Sequence, residues 1–156
     1  MPETEKKYFY TAEEMADLQI AARFYKLDAK VFLAMPPEFL VKVCNGIGAE
    51  RFSKIKREAM TLAFKRYEVC AAIHDLDYFL QVGQKKADKK LYNNMLKVWK
   101  KDFGILRFFR PTARVEKRVI IPAFYLAVSI AGSSAYTEAG EEKKEMEEKN
   151  PVFLDK

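Results

Sequence analysis

Along most of the chain, apolar residues return every three or four positions, the spacing that gathers them on one face of an α-helix. Thr11-Ala12-Glu13-Glu14 has the form of a capping box, so a helix is predicted from Ala12, with Met15, Leu18, Ala22 and Tyr25 facing inward. Asp28 is placed to cap a short second helix that ends by Met35. Pro36-Pro37 breaks it, and Pro37 suits the first turn of a third helix, about 37–44, which stops at Asn45-Gly46-Ile47-Gly48. Ser53 can cap a long helix predicted to reach Val82. It bears two apolar stripes, Met60-Phe64-Tyr67-Ala71-His74-Tyr78 and Leu62-Val69-Ile73-Leu76-Leu80, and so wide an apolar surface predicts a central position.

Gly83 stops that helix. The next is predicted from about Lys85 to Lys101, buried through Leu91, Met95 and Val98, with Asp88 on the same face. Pro111-Thr112 opens a last helix through about Tyr136, which Pro122 is predicted to kink. Within it, Val119 to Ala131 is strongly apolar but falls short of the ~20 residues of a spanning helix, so a buried core helix is predicted there. No strand-like alternation and no internal repeat interrupts this pattern. The predicted fold class is all-α: a small helical bundle with a long central His74-Asp75 helix packed antiparallel to an Ala87-Asp88 helix. Residues 1–10 read as a flexible N-terminus, 11–137 as one helical domain, and 138–156 as a charged tail.

Composition agrees with a chain that buries a real core. The 156 residues are 49% hydrophobic and contain only 6 Gly and 6 Pro. Two cysteines, Cys44 and Cys70, are too few for a disulfide framework, so a reducing interior is expected. The opening residues lack an apolar leader core, and no signal peptide is expected. Net charge is +6, unevenly placed: residues 137–156 hold seven acids against four lysines, which leaves +9 on the rest. A basic body suits an anionic partner such as an anionic lipid or membrane surface, an acidic protein or a nucleic acid. For nucleic acid the candidates are Lys85, Lys86, Lys89, Lys90, Lys97 and Lys100. They spread around their helix instead of lining a stripe, with no DNA-binding motif, so a solvated face is the better expectation.

His74 is the one histidine in the chain. On an apolar helix face such a residue commonly serves as a hydrogen-bonded core group. Its neighbours give it a second reading. Asp75 follows directly, and successive helical residues point about 100° apart, so both can face one cavity without pairing. Tyr78 lies one turn on, on the same face. Asp88, on the buried face of the next helix, needs a partner, and the imidazole is the nearest candidate. A carboxylate holding one ring nitrogen fixes the tautomer and leaves the other to accept a proton from water. Asp75 could then hold a hard cation such as Ca²⁺, aided by carbonyls of the turn Asn45-Gly46-Ile47-Gly48.

Taken in order, Cys44-Asn45-Gly46-Ile47-Gly48, then Cys70-Ala71-Ala72-Ile73-His74-Asp75-Leu76-Asp77-Tyr78, then Ala87-Asp88 with Asn93-Asn94-Met95, then Tyr125-Leu126-Ala127-Val128 and Tyr136 resemble the phospholipase A2-like family. The likeness covers roughly residues 40–137. It looks nearer to the viral-capsid version and to phage or gut-bacterial relatives than to the secreted enzymes, whose several disulfides have at most one counterpart here, Cys44–Cys70. The resemblance implies His74 as the general base, Asp88 as its orienting carboxylate and Tyr78 as a hydrogen-bonding member of the network. It also implies Asp75 as a Ca²⁺ ligand together with carbonyls of Gly46 and Gly48. An unbroken helix from Ser53 would place about 26 residues, roughly 40 Å, between that turn and Asp75, so the chain must break or fold back for the turn to reach.

Two readings follow. One is a phospholipase A2-like esterase acting on lipid. The other is a non-catalytic helical phage virion or host-interaction protein that keeps the His74–Asp88 pair for structure, with a phage or host protein as partner. Both fit a cytoplasmic or virion-associated chain.

Overall fold

The computed structural model describes residues 9–44 and 65–149. Within them the protein is an all-α bundle without strands. The helices are α1 (Ala12–Phe24), α2 (Lys30–Ala34), α3 (Pro37–Val43), α4 (Glu68–Phe79), α5 (Gln84–Phe103), α6 (Pro111–Val115) and α7 (Ile121–Lys149).

α1 starts where its capping box places it. Thr11 Oγ1 accepts from the Glu14 amide at 3.2 Å, and Glu14 accepts from the Thr11 amide at 2.7 Å. Lys26, at φ 53°, closes its far end in the left-handed region. Asp28 does not cap α2, whose N-cap is Ala29 with no side-chain bond. Asn94, fully buried on α5, takes both backbone groups of Asp28 instead: its Oδ1 accepts from the amide at 2.9 Å and its Nδ2 donates to the carbonyl at 3.1 Å. Gln19, buried on α1, donates to the carbonyls of Phe32 and Met35 and satisfies the end of α2. These two amides hold the α1–α3 corner where a short helix alone would fray. Asn94→Ala strands both Asp28 backbone groups and should cost about 2–3 kcal/mol, read as a lower urea midpoint with unchanged slope.

The predicted long central helix is shorter than expected. The chain enters α4 through a 3-10 turn, Lys65–Tyr67, and α4 spans 12 residues. Ser53, the predicted cap, lies outside the described residues. Centrality does hold: ten of those 12 residues are buried, and α4 packs against α1, α3, α5 and α7. Its end also differs from expectation. Gln81, not only Gly83, takes a left-handed backbone, at φ 58° against 103°. The chain reverses over these few residues into α5, whose Leu91, Met95 and Val98 are buried as predicted.

Pro122 removes an amide and crowds the carbonyl four residues earlier. The helix accommodates it with a turn of π-helix, Glu116–Ile120, directly before α7. α7 then continues through the acidic segment to Lys149. Its apolar part is not the buried core helix predicted. Ile121, Phe124 and Gly132 are buried, while Val119, Leu126 and Ile130 face outward. The segment packs one side against α4 and α5, and among the described residues nothing covers the other.

Candidate functional site

The turn between α4 and α5 brings His74 and Asp88 together. His74 Nε2 lies 2.8 Å from Asp88 Oδ1, and the Tyr78 hydroxyl donates to the same oxygen at 2.7 Å. His74, Tyr78 and Asp88 are 7%, 4% and 3% exposed, so the contact is dry. Since Asp88 is the acceptor, Nε2 carries the proton and the lone pair resides on Nδ1. The Tyr78 ring packs on the imidazole with centroids 4.0 Å apart. Burial alone would raise the Asp88 carboxyl. Hydrogen bonds from His74 and Tyr78 outweigh it and hold the group below the usual carboxylate range. Burial, then the bond to Asp88, pushes the Tyr78 phenol up, so Tyr78 is a fixed donor.

This sets a pH dependence. Asp88 binds fewer protons in the folded than in the unfolded chain, where it titrates near ~3.9. Its contribution is therefore complete above that value and is lost as pH falls through the lower folded value. Asp88→Asn should flatten the acid limb of the melting-temperature profile below about pH 4. An acid limb as steep as wild type would mean that other carboxylates govern it.

A second layer fixes the first. α7 supplies Ser129, whose Oγ is buried without a hydrogen-bond partner among the described residues. It also supplies Tyr136, which meets Tyr78 edge-on with centroids 5.2 Å apart. The Tyr136 hydroxyl accepts from the Gly83 amide at 2.9 Å, and its carbonyl accepts from Gln81 Nε2 at 2.8 Å. Gln81 donates from the same nitrogen to the Tyr78 carbonyl at 2.7 Å. Tyr136 thus clamps the turn that joins the two site helices. Gly132 lets α7 pass over Tyr78: a Cβ there would stand 2.3 Å from the Tyr78 hydroxyl. Sequence reasoning assigned no role to Ser129, Gly132 or Gln81. The signal was the cluster of small residues, Gly132-Ser133-Ser134, inside an apolar helix.

Asp77, within the same motif, is 4% exposed and pairs with Lys90 at 3.0 Å. Burial raises its carboxyl despite that pair. Lys90 is therefore committed to the fold, which removes it from the predicted solvated lysine face.

Asp75, next to His74 in sequence, is half-buried. Its charge acts on Tyr10, Cys44 and Tyr78. Cys44 Sγ donates to the Ala72 carbonyl at 3.3 Å, one helical turn before Asp75. The residue leading into the glycine turn is thus packed against the stretch of α4 that carries Asp75. The unbroken helix predicted from Ser53 is interrupted among the described residues by the 3-10 turn Lys65–Tyr67. Gly46 and Gly48 themselves lie outside the described residues. A hard cation wants carboxylate and carbonyl oxygens. Asp75 supplies the first kind beside the start of the turn. No group of three His, Cys, Asp or Glu exists among the described residues. A carboxylate is a hard oxygen donor, the kind Ca²⁺ takes. Cys44 and Cys70 are both buried free thiols, and burial raises each.

Comparison with family models, with curated proteins and with solved structures gives no match. The functional reading therefore rests on the residues and their geometry.

Proposed function

We propose that this chain is a phospholipase A2-like hydrolase in which His74 activates water against a lipid ester. The observation that carries the reading is the buried Tyr78–Asp88–His74 chain of hydrogen bonds, which holds one imidazole nitrogen protonated and leaves the other basic. Nδ1 takes a proton from water as its oxygen adds to the ester carbonyl. Asp88, kept anionic, stabilises the imidazolium so formed. As the tetrahedral adduct collapses, the C–O bond to the alcohol breaks and the imidazolium returns the proton to the departing oxygen. The products are a fatty acid and a lysolipid, and the histidine is restored. Tyr78 holds the carboxylate oxygen in place and has no proton to transfer in this range. Asp75, with carbonyls of Gly46 and Gly48, would hold Ca²⁺, which when bound polarises the ester carbonyl and offsets the oxyanion charge.

One observation favours the second reading. His74 is only 7% exposed, which also suits a structural pair in a non-catalytic phage virion or host-interaction protein. Fatty-acid release from mixed phospholipid vesicles, with Ca²⁺ at millimolar level and with chelator, separates the two. The hydrolase reading expects release with Ca²⁺ and a calcium-induced rise in melting temperature. Absence of both would leave the structural pair.

A further inference from the structure

Beyond the buried site, the described residues from Gly104 to Ile130 expose a series of large apolar side chains. The 3-10 turn Gly104–Phe108 and the residue after it expose Ile105 (73%), Phe108 (57%) and Phe109 (78%). The outer side of the following helix exposes Val119, Leu126 and Ile130. These are large apolar side chains, and on a water-facing surface such a cluster marks an interaction site. Arg114 donates to the Phe108 carbonyl at 2.7 Å, which ties the turn to the start of the following helix beside Val115.

The charge on this surface selects its partner. From Gly104 to Val115 the sequence holds Arg107, Arg110 and Arg114 and no acid. Glu116, paired with Tyr67 and Arg66, then Lys117 and Arg118 follow, and no charged residue stands from Val119 to Thr137. The Arg107 guanidinium lies over the Phe108 ring at 4.6 Å. Arginines interleaved with protruding aromatics, beside an uncharged apolar stripe, match the boundary between lipid headgroups and acyl chains. The acids of the chain's end begin at Glu138, about 36 Å along the helix from Arg114, well beyond a ~8–10 Å screening length.

We infer that this protein docks on an anionic bilayer surface through the Phe108-Phe109 turn and the outward stripe of α7. This goes beyond the hydrolase reading and stands without it. The helix lies on the membrane and does not cross it. By length and composition it could span, but Ile121, Phe124 and Gly132 pack into the bundle, and a spanning helix would have to leave it. A second copy is the rival occupant. Pairing would bring like charges of the two copies, Arg110, Arg114, Lys117 and Arg118, toward one seam, which opposes it.

Vesicle flotation of the full chain tests this. With vesicles of mixed phosphatidylglycerol and phosphatidylcholine the wild type should float, with affinity about tenfold or more above that for pure phosphatidylcholine. Phe108→Ser with Phe109→Ser should lower binding about tenfold or more while the melting temperature holds, since both rings are exposed. Arg110→Gln with Arg118→Gln should lower anionic binding and weaken its salt dependence. His74→Gln should float as wild type, so docking and hydrolysis are read separately. Equal binding to neutral and anionic vesicles, undiminished binding of the Phe variant, retention in the pellet after alkaline carbonate, or a wild-type dimer that the Phe variant converts to monomer would each overturn the inference.

Discussion

His74→Gln is expected to abolish Ca²⁺-dependent fatty-acid release, by on the order of 10²–10⁴-fold, while the protein stays folded. Glutamine retains an N–H donor near the position of Nε2, so the Asp88 oxygen, which His74 approaches at 2.8 Å, can remain satisfied. What glutamine lacks is a second nitrogen that can take a proton. The variant therefore separates the two roles of the imidazole: the packing and the hydrogen bond survive, and the base is gone. If His74 serves only to satisfy Asp88, the wild type has no such activity to lose. His74→Leu is the informative contrast. It leaves the 3%-exposed Asp88 carboxylate with Tyr78 but without its histidine, and should cost about 3 kcal/mol or more, since a buried charge loses a partner. A Leu variant as stable as the Gln variant would show that the pair contributes little to the fold.

Gly132→Ala is expected to destabilise the protein by about 1–3 kcal/mol and to lower hydrolysis with it. Helix propensity alone argues the opposite, since alanine favours a helix interior by about 1 kcal/mol over glycine. Sterics decide the sign. The new methyl would sit 2.3 Å from the Tyr78 hydroxyl and 2.9 Å from Gln84 Nε2. Tyr78 cannot swing aside cheaply: it is 4% exposed, bound to Asp88, and held between the His74 and Tyr136 rings. Either the phenol leaves Asp88 or α7 withdraws from α4. Tyr78→Phe removes the atom that clashes, and the Tyr78 Cζ left behind is at 3.4 Å, close to ordinary contact. The double variant should thus recover part of the loss, and a double-mutant cycle should show coupling of about 1 kcal/mol or more. Additive losses would mean that the helix backbone, not Tyr78, absorbs the strain.

Much of the bundle was legible from local signals. Thr11 with Glu14, Pro37 at a first turn, and the Leu91-Met95-Val98 face each act within a few residues, and each appears where its chemistry places it. Asp88 was legible for a different reason. A carboxylate on an apolar face must find a partner, and the only histidine of the chain lay one short turn away. Asp28 misled because two elements could satisfy it. A cap is local, but the amide of Asn94, 66 residues later, won the backbone groups.

Helical periodicity and a buried acid's need for a counter-group were enough to determine the all-α class and to pair His74 with Asp88, because both are short-range or obligatory. Packing decided the rest. Tyr136 closing the α4–α5 turn, Gly132 making room for Tyr78, and Cys44 settling against Ala72 beside Asp75 are contacts between residues 28 to 54 positions apart. So is the uncovered side of α7. An apolar run looks the same in sequence whether one side or all sides of it meet protein, and only the number of neighbouring helices available to cover it determines which.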